Sequence, residues 1–223
     1  MKGKISEIFT SIQGEGLYFG TKQLFVRFYG CNINCEFCDT LGESFVEYEL
    51  GELLKKIDSY RGQCDSIAFT GGEPLLQKDF LGSLLKLTQA DGFKNYLETN
   101  GTLPEALVEV IEYVDIISMD FKLPSSGDTP DFWEQHRKFL KIASKKEVFI
   151  KAVICESTTE QDLMQVVNII KETAENTVLV IQPNSFQDYA KLEPKIEKFK
   201  AYCLENNVVT CVIPQLHKLV GLK

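Results

Sequence analysis

Apolar positions recur along this chain with two periods, and segments of the two kinds take turns. Gln23 to Tyr29 alternates with period two, which predicts a strand. Leu24, Val26 and Phe28 share the face suited to packing on helices, while Phe25, Arg27 and Tyr29 share the face that would line a barrel interior. Ile5 to Ile12 predicts an earlier strand running into Gln13-Gly14-Glu15-Gly16, where the paired glycines mark a turn approached closely by another group, or a plain hairpin. Helical spacing follows from Tyr48 to Tyr60, with Leu50, Leu53, Leu54 and Ile57 on one face. The remaining pattern reads strand Ile67 to Thr70, helix Phe80 to Gln89, strand Asn95 to Thr99 and helix Pro104 to Tyr113, with proline at the favoured first position. Next come strand Asp115 to Phe121, helix Pro130 to Ala143, strand Glu147 to Ile154 and helix Thr159 to Glu172, capped by Thr158 or Thr159. Strand Thr177 to Gln182, helix Glu193 to Asn206 and strand Val208 to Ile213 complete the series.

Strands alternating with helices imply an α/β fold with a parallel sheet and right-handed crossovers. Six units between Leu24 and Asn206 are too few to close an eight-stranded barrel. The expectation is a partial (β/α)6, TIM-like open barrel with short extensions at both termini, residues 1–223 forming a single domain. Polar clusters follow the strands: Cys31 after the first, Thr70 to Glu73 after the second, Glu98 to Asn100 at the third, Ser118 to Lys122 at the fourth and Gln182 to Asn184 at the sixth. Barrel enzymes build their sites at that rim.

Composition narrows the partners. The net charge of −8 argues against a phosphate-binding surface, so nucleic acid is not expected and a small substrate is. No apolar run approaches the roughly 18 residues of a membrane span, and the first residues carry no secretory apolar core. Seven cysteines, odd in number and unevenly spaced, predict reduced thiols and a cytoplasmic setting. Cys155, Cys203 and Cys211 sit in apolar patterns, as small buried fillers do.

Three of the thiols stand apart. Cys31, Cys35 and Cys38 are spaced C-x3-C-x2-C directly after the first parallel strand. Soft sulfur ligands select zinc, copper(I) or iron–sulfur clusters. Structural zinc takes four ligands, as does a cluster used only for electron transfer, so three leave a metal position open. Cys64 precedes a strand and falls at the opposite end of the sheet; His136 and His217 are distant in sequence. Zinc completed from afar, or three metal-free buried thiols, remain the alternative readings.

The three-cysteine spacing, followed by Gly71-Gly72-Glu73-Pro74 after the next strand, resembles the radical S-adenosylmethionine (SAM) superfamily. That resemblance implies a [4Fe-4S] cluster whose fourth iron is chelated by SAM, with the Gly-Gly-Glu-Pro backbone and carboxylate near the SAM ammonium. The segment Ile8 to Gly16, then Arg27, Cys31 to Thr40, Leu97 to Thr102, Ser118 to Gly127, Gln182 to Asn184 and Pro214 to His217 is similar, over nearly the whole chain, to the 7-carboxy-7-deazaguanine synthases. Those carbon–nitrogen lyases of queuosine and deazapurine biosynthesis convert 6-carboxy-5,6,7,8-tetrahydropterin by hydrogen abstraction at C6, ring contraction and loss of ammonia. The family also implies Mg2+, an external one-electron donor such as flavodoxin or ferredoxin, and a homodimer.

Roles transfer as follows. Cys31, Cys35 and Cys38 would hold the cluster, and Thr40 would meet Mg2+. Phe37, Asp39, Gly72, Ser118, Gln182, Pro183, Asn184 and Ser185 resemble SAM contacts, with Glu73 a further candidate. Ile12, Gln13, Gly14, Arg27 and Thr70 resemble substrate contacts, with Glu15, His217 and the carboxylate of Lys223 beside them. Glu98 is read as a buried structural carboxylate ahead of a ligand, and Lys122 is left without a role. A glycyl-radical activase would share the cysteine loop and the glycine turn. Gln13 to Gly16 and the histidine-bearing tail speak against it.

Overall fold

The structure, a computed structural model, describes residues 1–36, 38, 44–219 and 221, with the backbone alone at 217 and 219. The chain runs β1 (Lys2–Ile12), β2 (Lys22–Phe28), β3 (Val46–Glu49), α1 (Leu50–Asp58), β4 (Ser66–Gly71), α2 (Lys78–Ala90), β5 (Asn95–Thr99) and α3 (Pro104–Val110). It continues through β6 (Ile116–Phe121), α4 (Pro124–Gly127), α5 (Trp133–Ala143), β7 (Glu147–Ile154), α6 (Glu160–Thr173), β8 (Val178–Pro183), α7 (Tyr189–Glu205), β9 (Thr210–Val212) and α8 (Leu216–Leu219). Among the described residues the strands form one sheet in the order β3-β1-β2-β4-β5-β6-β7-β8-β9. Every neighbouring pair from β2 to β9 is parallel, while β1 runs antiparallel to β2 and β3. β3 and β9 are the edges, so the sheet stays open, as six strand–helix units predict.

Strand parity sorts the core. Leu24, Val26 and Phe28 are buried with Ile67, Phe69 and Leu97 against Leu81, Leu84, Leu107 and Phe139 of the helices. Each such side chain contributes about 1.5–3 kcal/mol relative to exposure. The opposite parity gathers Phe25, Ala68, Tyr96, Ile116, Phe149 and Val180 into a second cluster that contains no helix residue. Tyr18 packs edge-on to Tyr96 and its hydroxyl donates to Glu147. This aromatic floor lies toward the strands' N-terminal ends and leaves the other rim for chemistry.

Besides the unforeseen short α4 and the start of α5 at Trp133 instead of Pro130, two features depart from the periodicity for traceable reasons. Val46 to Glu49 pairs with Lys2 to Ile5 as an edge strand, whereas Tyr48 reads from sequence as helix. Its apolar residues fit both periods, and only the distant partner strand decides. Helix α7 starts at Tyr189, before the expected Glu193, because the Asp188 carboxylate accepts from the Ala190 amide at 3.0 Å. At α6 the cap is Thr159, whose hydroxyl accepts from the Asp162 amide.

The loops after β2 and β4 are joined by backbone. The Gly72 amide donates to the Phe28 carbonyl at 3.0 Å and the Glu73 amide to the Gly30 carbonyl at 2.8 Å. A Cβ on Gly72 would lie 2.0 Å from the Gly30 oxygen, so only glycine permits this approach.

His136 of α5 braces the neighbouring turn. It is fully buried, and its Nε2 lies 3.1 Å from the Asn100 carbonyl. A carbonyl can only accept, so Nε2 carries the proton and Nδ1, buried without a partner, stays unprotonated. Burial pushes the imidazole down to about 4, against the pull of the Asn100 bond. A lowered folded-state pKa means stability that is complete above the unfolded value of about 6.5 and lost as pH falls toward 4. The expected loss at pH 4 is about 3 kcal/mol. Urea unfolding across that window should show this share of the slope missing in His136→Phe; a parallel slope in the variant would assign the dependence to other groups.

Candidate functional site

The strand ends converge on a cavity of about 170 Å3. One part of its wall is the cysteine loop: Cys31, Cys35 and Cys38 all line it, and the Cys38 amide donates to the Cys35 carbonyl at 3.1 Å. Cys35 lies close enough to feel both other sulfurs. Burial pushes the Cys31 and Cys35 thiols up, and the Lys122 ammonium pulls Cys35 back. Cys64 precedes β4, at the far end of the sheet from Cys31.

Beside the thiols the ends of β6 and β8 present polar groups. Ser118, Asp120 and Lys122 follow one parity of β6 into the cavity, and Gln182 enters from β8. Lys122 pairs with Asp120 at 2.9 Å. Desolvation lowers the Lys122 pKa, but Asp120 and the Cys35 sulfur outweigh it and leave the ammonium above its ordinary value. Oδ1 of Asp120 and Oε1 of Gln182 are buried acceptors without a partner among the described residues. A buried acceptor left unpaired costs about 1–3 kcal/mol.

The other half of the cavity is built from β1, β2, β4 and β5. Both amide hydrogens of Gln13 are committed, to Gln23 Oε1 at 3.0 Å and Glu98 Oε1 at 2.7 Å, and its oxygen accepts from the Glu15 amide at 3.0 Å. Thr70 donates to the second Glu98 oxygen at 2.6 Å. Glu98 therefore both fixes Gln13 and Thr70 and forms part of the wall; it is half-buried rather than sealed in the core. Arg27 faces inward as its parity predicts. Its Nη1 meets Glu7 at 2.6 Å, its guanidinium lies over the Phe9 ring, and its Nε is buried without a partner among the described residues. Glu15 is held by Lys151 at 2.6 Å and by Gln215 at 2.6 Å.

Several expected site residues are not brought to the wall. The Glu73 carboxylate is fully buried and turned into the structure, where it accepts from the Leu75 and Asn100 amides and the Thr99 hydroxyl. Burial pushes it up to about 7, against those donors. Only the backbone side of the glycine turn, Gly71 and Gly72, lines the cavity. Asn184 spends its amide on Cys155 and its oxygen on the Phe186 amide, Pro183 is buried within β8, and Ser185 donates to Gln215. Phe37, Asp39, Thr40, Lys223 and the His217 side chain lie outside the described residues. Conversely, Asp120, Lys151 and Gln215 line the cavity and were not foreseen. A signal existed for two of them: Asp120 shares the parity of Ser118, and a lysine inside an apolar parallel strand is rare unless paired.

The chain matches the Radical SAM superfamily over residues 25–155. It is 33% identical to the 7-carboxy-7-deazaguanine synthase of Geobacter sulfurreducens over 98% of this chain and 97% of that protein. It is 32% identical to the enzyme of the same name from Archaeoglobus fulgidus over the full length of both. The chain belongs to the 7-carboxy-7-deazaguanine synthase family. A crystal structure of QueE from Escherichia coli superimposes with a TM-score of 0.68 at 21% identity, covering 95% of this chain and 94% of that one, and so shares the fold. As a member of this family the chain is a lyase-type radical SAM enzyme, which implies a [4Fe-4S] cluster and SAM. The cavity suits both in its donor chemistry, although among the described residues no three Cys, His, Asp or Glu side chains are drawn together to hold a metal ion. Its cysteine loop supplies three thiols, and the unpaired acceptors of Asp120 and Gln182 suit a ligand rich in hydroxyl and ammonium donors.

Proposed function

We propose that this chain converts 6-carboxy-5,6,7,8-tetrahydropterin into 7-carboxy-7-deazaguanine and ammonia. The observation that carries the reading is that the three-thiol loop and the Gln13, Arg27, Thr70 and Glu98 set line one cavity. Cys31, Cys35 and Cys38 would hold the cluster, and Gly72, Ser118, Gln182 and Asp120 would border SAM. When bound, the cluster and SAM together supply the radical that takes hydrogen from C6.

The chain's own share is positional. The unpaired Nε edge of Arg27 faces a carboxylate better than a neutral group, since a guanidinium fork binds carboxylates in pairs of hydrogen bonds. Gln13 has no amide hydrogen to spare, so it would meet the pterin through its oxygen or the adjoining backbone at Ile12 and Gly14. Glu98 and Glu15 add acceptors for the N–H groups of the pterin ring. Ile33, Phe9, Phe25 and Val153 supply apolar wall that keeps water from the reacting carbon.

The finer assignments are part of the same proposal. His217 would close the pterin side; Phe37 and Asp39 would complete the SAM side, with Pro183, Asn184 and Ser185 acting from behind. Thr40 would hold Mg2+ through its hydroxyl, a hard ligand for a hard ion. Thr40→Val is then expected to lose stimulation by Mg2+ while keeping its metal-free rate; an unchanged metal response would move the ion elsewhere. We further propose one domain spanning residues 1–223, a homodimer in the cytoplasm and reduction by a flavodoxin or ferredoxin. Among the described residues no helix is long and apolar enough to cross a membrane.

The deciding experiment is anaerobic. Reconstituted, reduced protein incubated with SAM and the carboxytetrahydropterin should release the deazaguanine and ammonia. Full cluster occupancy with SAM cleavage but no deazapurine would overturn the substrate assignment.

A further inference from the structure

Phe149, Lys151 and Val153 follow the inward parity of β7, a strand flanked on both sides by parallel neighbours. An ammonium at the middle of such a strand is expensive unless it is paired. The Lys151 side chain is only 6% exposed, and its Nζ lies 2.6 Å from Oε2 of Glu15. Asp120 and Glu98 face the same ammonium from β6 and β5, with Lys122 opposing.

The pair is more than a core contact because of what Glu15 holds. Its other oxygen accepts from Gln215 at 2.6 Å, and the Leu216 amide donates to the Gly14 carbonyl at 2.9 Å. The C-terminal segment is thereby fastened to the Gln13–Gly16 turn. Phe149, one inward position earlier, fills the space where Gly16, at φ +64°, would carry a Cβ. β7 thus carries both arms of the turn, one through an aromatic ring and one through a charge.

We infer that Lys151 is a positioning residue for the pterin: it fixes the Glu15 carboxylate and, through Gln215, the C-terminal segment against the substrate side of the cavity. The inference rests on the substrate reading above and adds to it a residue from the far wall. Removing the ammonium takes the Lys151 counterion from a largely buried carboxylate, and the turn and the tail lose their common anchor. Ser118, Asp120 and Gln182 of β6 and β8 would border SAM; Asp120, the one of these that faces Lys151, keeps its own pair with Lys122 at 2.9 Å, so SAM binding should not depend on that anchor.

The test compares Lys151→Met, Lys151→Arg, Glu15→Gln and the double variant Lys151→Met/Glu15→Gln as reconstituted holoenzymes. Lys151→Met should raise KM for the carboxytetrahydropterin about tenfold or more, with iron content and SAM affinity within about twofold of the parent. Lys151→Arg should recover most of that loss. The double variant should be no worse than the poorer single one, since both act through one contact. An unchanged KM in Lys151→Met, an equal loss of SAM affinity, or single effects that multiply in the double variant would each overturn the inference. Hydrogen exchange at the Leu216 amide reads the same anchor without turnover. Faster exchange in Lys151→Met supports the anchor, and unchanged protection overturns it. If the parent makes no deazapurine, the substrate reading fails; if the parent does and Lys151→Met matches it, only the role of Lys151 fails.

Discussion

Cys35→Ala is expected to abolish formation of the deazapurine while leaving the metal-free fold in place. Cys35 is the middle thiol of the loop; it lines the cavity and senses both Cys31 and Cys38. A cluster held by the three thiols, already short of one protein ligand, would keep only two when it is lost. Iron per chain and visible absorbance should collapse, and product should fall below about a thousandth of the parent rate, the scale on which removing an essential catalytic group acts. The side chain is half-buried in a loop away from the helix-side core, so the stability of metal-free protein should move by about 1 kcal/mol or less. Cys64→Ala serves as the control. Its thiol lies at the other end of the sheet, and turnover should be unaffected. A Cys35 variant with full cluster and parental turnover would remove this residue from the ligand set.

Arg27→Lys is expected to raise KM for the pterin by roughly a hundredfold, the equivalent of about 2–3 kcal/mol for a lost charge-assisted pair of hydrogen bonds. Arg27 enters the cavity from β2 with one nitrogen on Glu7 and its Nε buried and unpaired. Lysine can keep the charge opposite Glu7 but offers no second donor in a fixed plane. Cleavage of SAM without pterin should persist at close to the parental rate, because the contacts proposed for SAM lie on β6 and β8. Loss of both activities in equal proportion would mean that the substitution disturbs the fold and not the substrate.

How much of this was readable beforehand differs from residue to residue. Arg27 was placed correctly from alternation alone, because a strand's period of two leaves a single choice of face once Leu24, Val26 and Phe28 are assigned to the helices. Gln13 to Gly16 was read as a turn approached closely by another group or as a plain hairpin, and the Phe149 ring fills the space beside Gly16. Glu73 went the other way. The family resemblance placed its carboxylate near the SAM ammonium, yet the Leu75 amide just after it, together with the Thr99 hydroxyl and Asn100 amide at the end of β5, draws the carboxylate inward. Those donors lie 2, 26 and 27 residues along the chain, and no local pattern says which way a carboxylate will rotate toward them.

Lys151 shows the same limit from the opposite side. A lysine at an inward position of an apolar strand announces that a partner must exist, because an unpaired buried ammonium is too costly to keep. The partner, Glu15, is 136 residues away.

Local order was therefore set by the sequence itself: the alternating periods assign most strands and helices and choose their faces, and the spacing C-x3-C-x2-C brings three thiols onto one loop whatever the rest of the chain does. These follow from bond geometry and from the burial of apolar side chains, both of which act over a few residues. The folded sheet alone decided which polar groups meet across it, so that Glu98 holds Gln13 and Thr70, Lys151 holds Glu15, and Gln215 returns from the far end to the same carboxylate. Hydrogen bonds and ion pairs are short-ranged and directional, and their partners come within reach only after the strands have found their order.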